Sequence, residues 1–108
     1  MDSPILIDIW TVDPSRREEL VRRISEQLRS LTTQRAGFIS AQVYESVSGR
    51  EVMVSVRMRT VEDRQHLIDS PEAHAAFREL RAIARSHSRL YRLIESLGEP
   101  DPQAPAPS

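Results

Sequence analysis

Asp8 is the side chain whose surroundings most strongly indicate chemistry. It lies in the stretch ILIDIW, with isoleucines on both sides. A carboxylate is costly to bury in such apolar surroundings unless it is paired or protonated. The residue therefore has two explanations. Either it forms a salt bridge with an arginine at a sheet edge, or it is a general base whose pKa is raised in a ligand cavity.

Tyr44 and His66 are the other candidates for proton transfer, because a phenol and an imidazole can each donate and accept a proton. Tyr44 also fits as a plain strand aromatic, and His66 fits as a solvated residue on a helix surface. We therefore predict a catalytic set of Asp8, Tyr44 and His66, in which Asp8 is the first candidate for the base.

A metal site is not predicted. The sequence has no cysteine, which excludes disulfides and thiolate metal ligands. His66 and His74 are eight positions apart and separated by a Ser-Pro break, whereas a helical pair of metal ligands is about four apart on one unbroken helix. We therefore expect no bound metal.

Composition narrows the class of protein. The 108 residues are enough for one domain with a modest core. A net charge of −1 gives no clustered basic face for nucleic acid. No apolar run is long enough for a membrane span or a signal peptide, so a cytoplasmic protein is expected.

Hydrophobic patterning predicts strands at residues 5–12, 36–46, 51–59 and 89–97. Apolar residues at helical spacing predict a first helix that ends near residue 31. Thr60 is expected to cap a short helix over residues 61–68, and Ser70 to cap the last helix, whose apolar stripe runs to residue 84. The order β-α-β-β-α-β predicts an α+β, ferredoxin-like fold with a four-stranded antiparallel sheet.

Strict alternation along the strands assigns each side chain to one face of that sheet. One face is too apolar to remain exposed, so a second copy of the chain is expected to cover it in a homodimer. The residues assigned to that face are Ile5, Ile7, Ile9, Ile39, Ala41 and Val43. The opposite face and the last helices are expected to form the substrate site. Its predicted binding residues are Trp10, Gln42, Val54, Val56, Met58, His74 and Phe77.

The segment GFISAQVYESVSGREVMVSVRMRTVEDRQHLIDSPEAHAAF resembles the antibiotic biosynthesis monooxygenase family. The matching features are a Gly-Phe opening of the second strand, a hairpin of fixed length, a short helix and a Ser-Pro break before the last helix. The resemblance spans about residues 3–97 and implies a dimeric α+β barrel. It also implies a small aromatic or polyketide-derived substrate. The leading activity it implies is oxidation of a phenol or anthrone by O₂, without a metal, flavin or any other cofactor.

Residue by residue, the family's quinone-forming members differ from this chain. Where they carry Asn and Trp in the third strand, this chain has Val54 and Met58, and where they can carry a His in the second strand it has Tyr44. Two alternatives therefore stay open. One is a cyclase or isomerase that needs no O₂, and the other is a non-catalytic ligand-binding or accessory subunit.

The domain is expected to cover residues 1–97. The remaining residues, 98–108, have four prolines and no large apolar side chain. Such a segment has too little apolar surface to offset the entropy of ordering, so it is predicted to be a disordered tail.

Overall fold

A four-stranded antiparallel sheet covered on one face by helices forms the fold in the computed structural model, which describes residues 4–98. The strands lie in the order β2-β3-β1-β4, which confirms the ferredoxin-like topology. The elements in chain order are β1 (Ile5–Thr11), α1 (Arg17–Thr32), β2 (Phe38–Glu45), β3 (Glu51–Met58), α2 (Val61–Asp69), α3 (Pro71–Arg81) and β4 (Arg85–Tyr91).

Side-chain caps set the starts of α2 and α3, as the sequence predicts. The Thr60 hydroxyl accepts a hydrogen bond from the backbone N–H of Asp63 at 3.0 Å. The Ser70 hydroxyl accepts one from the backbone N–H of Ala73 at 3.1 Å, and Pro71 occupies the first helical position. Because Ser70 is extended between the two helices, α3 starts in a new direction rather than continuing α2.

The core lies between the helices and the covered face of the sheet. Trp10 is only 1% exposed, and its ring stacks on that of Phe77 with the centroids 6.0 Å apart. Leu20 and Ile24 of α1 are also buried against this face. Every second residue of β3 is buried, which confirms the predicted alternation of that strand: Val52, Val54, Val56 and Met58.

A register shift in β2 reverses the predicted faces of that strand. Phe38 pairs with Met58, but the next pair is Ser40 with Arg57, so one extra residue, Ile39, is accommodated between them. Beyond this shift, the side chains change faces relative to strict alternation. Ala41 and Val43 therefore point toward the core rather than to the open face, whereas Ser40, Gln42 and Tyr44 lie on the open face.

The fourth strand begins four residues earlier than predicted and ends at Tyr91, not at residue 97. Its sequence, RSHSRLY, is polar, and it is an edge strand that pairs with β1 alone among the described strands. Backbone pairing with β1 fixes its position in spite of the more apolar segment that follows. The consequence is that Ser88, which precedes the predicted strand, lies directly opposite Asp8.

The open face of the sheet keeps its predicted isoleucine row. Ile5, Ile7 and Ile9 lie opposite residues of β3 on this face and are half-buried. Large apolar side chains are also exposed after β4, at Leu93, Ile94 and Leu97. Of the predicted tail, residues 99–108 lie outside the described residues. Within residues 4–98, no helix is both long and apolar enough to span a bilayer.

Candidate functional site

Asp8 occupies the middle of the central strand β1 and points toward the helices. It is 6% exposed, flanked in the sheet by Val54 of β3 and Ser88 of β4. The Ser88 hydroxyl donates a hydrogen bond to the Asp8 carboxyl oxygen Oδ1. This bond fixes the orientation of the Asp8 carboxyl group, because Ser88 is itself held in place by the backbone pairing of β1 and β4.

Burial is the main influence on the acidity of Asp8. It raises the pKa of the carboxyl above its ordinary value, because the charged form loses its hydration. The hydrogen bond from Ser88 and the positive charges of Arg81 and His87 oppose this rise without cancelling it. A carboxylate with a raised pKa is a stronger base than an exposed one, which suits it to take a proton from a weak acid.

A cavity of about 490 Å³ opens beside Asp8, between the sheet and the last two helices. Its volume is within the usual range for a small-molecule site. Apolar side chains and polar groups share its wall, so it can hold a ring system and bind a polar substituent. The lining residues are Leu6, Asp8, Ile68, His74, Phe77, Arg78, Arg81 and Ser88.

A second cavity, of about 50 Å³, lies between the sheet and helices α1 and α3. Asp8 and Phe77 line both cavities, so these two side chains form the partition between them. Apart from Asp8 and Gln27 its wall is apolar, and a volume this small excludes an aromatic ring. The other residues of its wall are Trp10, Ile24, Leu28, Leu31, Val54, Ala76 and Leu80.

The structure brings together part of the predicted site. Asp8, His74 and Phe77 line the larger cavity, and Trp10 and Val54 line the smaller one behind it. Val56 and Met58 are buried on the same face of the sheet, as expected.

Three predicted residues are placed elsewhere. Tyr44 and Gln42 lie on the open face because of the register shift in β2, so neither shares a cavity with Asp8 on its own chain. Gln42 accepts a hydrogen bond from the Ser55 hydroxyl at 2.8 Å on that face. His66 is exposed on α2 and does not line the cavity. The predicted placement of Tyr44 on the same face of the sheet as Asp8 is therefore wrong.

Sequence reasoning missed Ser88, Arg78 and Arg81. Ser88 lies just before the predicted fourth strand, which was placed too late because the strand that carries Ser88 has almost no apolar residues. The two arginines carry a usable signal: with His74 they recur at intervals of four and three positions, which places all three on one side of a helix. Within residues 4–98, no three His, Asp or Glu side chains come close enough to hold a metal ion.

No protein-family model matches the chain, and no curated protein is significantly similar to it in sequence. Solved structures do resemble it. SnoaB, a cofactor-independent oxygenase from Streptomyces nogalater, superposes with a TM-score of 0.73 at 16% identity, covering 92% of this chain and 100% of SnoaB. A candidate antibiotic biosynthesis monooxygenase from Deinococcus radiodurans gives 0.76 at 13% identity, with 92% and 100% covered.

A third similar structure is Rv0793 from Mycobacterium tuberculosis, with a TM-score of 0.71 at 17% identity and with 89% of this chain and 100% of that one covered. At such low identity the similarity establishes the fold and leaves the activity to be argued from the site. The ferredoxin-like α+β fold expected from the sequence is thereby confirmed.

Proposed function

We propose that this chain, which has the fold of the antibiotic biosynthesis monooxygenases, is a cofactor-independent oxygenase of specialised metabolism that acts on a phenolic or anthrone-type aromatic substrate. The observation that carries the proposal is the buried Asp8 carboxyl, which Ser88 orients at the wall of a cavity of about 490 Å³. A buried carboxylate beside a ligand-sized cavity has the position and the basicity of a general base.

In the proposed reaction Asp8 removes a proton from the substrate, and the resulting carbanion-like anion reacts directly with O₂. Addition of O₂ to the anion and return of the proton give a hydroperoxide at the reacting carbon. Loss of water then leaves a carbonyl, so that one oxygen atom stays in the product and the other leaves as water. The substrate CH₂ group supplies all four electrons, and the chain contributes orientation, a dry cavity and proton transfer.

The small cavity favours a reaction with O₂ over one without it. Its wall is almost wholly apolar, and O₂ is a small apolar molecule that is stabilised by such surroundings. Because Asp8 and Phe77 separate the two cavities, O₂ held there would be adjacent to a ring bound against Phe77. A cyclase or isomerase would use the same base and would have no need of this second space.

A non-catalytic ligand-binding role is the second candidate. The observation in its favour is the separation of Tyr44 from Asp8, which lie on opposite faces of the sheet. In that case the cavity would bind its ligand without any proton transfer at Asp8.

We further infer that the open face of the sheet pairs with a second copy of the chain. The half-buried row Ile5, Ile7 and Ile9 would be covered by the partner. The exposed apolar residues after β4 extend the same kind of surface. A homodimer of this kind would cover both the isoleucine row and the apolar residues after β4 without any change in the cavity.

Steady-state O₂ uptake with an anthrone substrate tests the proposed chemistry. Asp8→Asn keeps the size of the side chain and removes the base, so turnover is expected to fall by about 10²–10⁴-fold. Tyr44→Phe and His66→Ala are matched controls at the two predicted residues outside the cavity, and both are expected to keep near-normal rates. A near-normal rate in Asp8→Asn would remove Asp8 as the base. Turnover that continues without O₂ would identify a cyclase instead.

A further inference from the structure

Three side chains that can carry positive charge line one side of α3. His74, Arg78 and Arg81 follow one another at intervals of four and three positions, and all three line the cavity that contains Asp8. The cationic side of the cavity is therefore built by one continuous helix.

The two arginines are not used in ion pairs with the rest of the described chain. None of the salt bridges among residues 4–98 includes Arg78 or Arg81. Glu79, between them, instead accepts from Arg23 of α1 at 3.0 Å. Apart from the effect of Arg81 on Asp8, the charges of Arg78 and Arg81 are thus left for whatever enters the cavity.

Arg81 is also held in position. Its guanidinium carbon lies 5.5 Å from the centroid of the Phe77 ring, a cation–π arrangement. The same ring stacks on the buried Trp10. A guanidinium placed by a packed ring is pre-organised to bind a planar anion with two parallel hydrogen bonds.

Charge in the cavity is unbalanced. Two guanidinium groups line it against a single carboxyl, and that carboxyl already accepts a hydrogen bond from Ser88. Both arginines are exposed at the cavity, and a neutral aromatic ligand would give neither of them an ionic partner. The rest of the wall, with Leu6, Ile68 and Phe77, fits a ring system.

We infer that the cavity binds an aromatic ligand that carries a carboxylate, with Arg78 and Arg81 holding the carboxylate and Phe77 contacting the ring. The inference rests on the proposed function in that it assigns the ligand to the same cavity. It adds a specificity for a carboxylate substituent, which neither proton removal by Asp8 nor reaction with O₂ requires. The anionic substituent fixes which end of the ring system faces α3 and hence which carbon approaches Asp8.

Equilibrium binding of two matched probes tests the inference. Anthraquinone-2-carboxylate and its neutral carboxamide have the same ring system, and neither can be oxidised further at the central ring. Isothermal titration calorimetry measures affinity, and quenching of Trp10, the only tryptophan, reports occupancy of the cavity. The wild-type protein is expected to bind the carboxylate about tenfold more tightly than the carboxamide, which is the usual size of a charged hydrogen-bond contribution.

The double substitution Arg78→Gln with Arg81→Gln is expected to bring that ratio close to one while leaving carboxamide affinity nearly unchanged. Arg85→Gln is the control, because Arg85 lines a neighbouring open groove together with Arg81 but not this cavity. It is expected to keep the wild-type ratio. Circular dichroism and the melting temperature establish that each variant is folded.

Equal affinity of the wild type for both probes, or no binding of either, would overturn the inference. The inference would also be overturned if the double variant kept the wild-type ratio of carboxylate to carboxamide affinity, or if Arg85→Gln abolished that ratio to the same extent. The proposed oxygenase function fails separately. Asp8→Asn could keep its turnover while the preference for the carboxylate still depends on the two arginines. That result would support the proposed class of ligand and contradict the role of Asp8 as the base.

Discussion

The two faces of one sheet differ in what their residues do. On the covered face, β3 presents four fully buried apolar side chains, and β1 presents Trp10 and Asp8 among them. On the open face, the same two strands present Ile7, Ile9 and Met53, which are only half-buried within the chain. The apolar side chains of the covered face are buried within one chain, whereas those of the open face remain partly exposed to solvent.

That difference separates two kinds of polar residue. Asp8 is a polar residue buried among core side chains. Its burial there destabilises the folded chain, because the charged form of the carboxyl loses its hydration. Gln42 and Ser55 are polar residues on the open face, where the Ser55 hydroxyl donates a hydrogen bond to the Gln42 side-chain oxygen at 2.8 Å. A carboxyl that is buried beside a cavity at the loss of its hydration indicates function, whereas a paired amide and hydroxyl on the sheet surface are explained by the sheet itself.

The strongest way to break the comparison is to place the same charge on each face. Val54→Asp introduces an unpaired charge into the core, which costs several kcal/mol, a large part of the stability of a small domain, so the chain is expected to unfold. Ile7→Asp is expected to leave a folded monomer. Circular dichroism measures the fold, and size-exclusion chromatography with light scattering measures the mass.

The wild-type protein is the reference for both variants. A wild type that is monomeric at micromolar concentration would contradict the proposed homodimer. An Ile7→Asp variant that stays dimeric with unchanged stability would place the interface on another surface.

A smaller effect is expected from removing the buried charge. Because folding raises the pKa of Asp8, its ionised form destabilises the folded state. Below the ordinary carboxyl range of about pH 4 the residue is protonated in both states and has no such effect. Asp8→Asn should therefore raise the melting temperature at pH 7 by a few degrees, and the gain should vanish as the pH falls to about 3.

Asp69→Asn is the control for this titration, because Asp69 is exposed on α2. Melting curves at several pH values should show no comparable pH-dependent difference for that variant. A gain for Asp8→Asn that is the same at acid and neutral pH would mean that the carboxyl charge is not its cause.

The smallest effect is expected from truncation after Gly98. The removed residues have no large apolar side chain, so neither face of the sheet should lose packing. The melting temperature and the mass in solution should both stay within error of the full chain. A loss of several degrees would show that the tail packs on the domain, and a change in mass would place it at the open face.

Local chemistry made part of the fold predictable. Thr60 and Ser70 were recognised as caps because the hydrogen bond that defines a cap spans only three residues. The strand β3 was recognised because its alternation is unbroken and half of its residues are buried. The polar strand β4 was misplaced because its position depends on pairing with β1, a contact about 80 positions away in sequence.

The site divides in the same way. Asp8 could be recognised from its immediate neighbours, since a carboxyl among isoleucines is anomalous in any strand. Ser88 could not, because nothing in SHS predicts which strand it joins. Arg78 and Arg81 could have been grouped by helical spacing, but their role depends on the cavity that α3 and the sheet enclose together.

The extra residue at Ile39 has a consequence for how such a chain can diversify. Deletion of Ile39 itself would remove the shift and leave every face unchanged, because Phe38 and Ser40 already point to opposite sides of the sheet. Deletion of the single codon for Ser40, with the shift kept, would instead exchange the faces of the side chains beyond it in one mutational event. Tyr44 would then move beneath the helices, and Val43 would leave the core. No single point substitution moves a hydroxyl from one side of a sheet to the other. A one-residue insertion or deletion in this strand is therefore a short evolutionary route between active sites with and without a phenol beside the base.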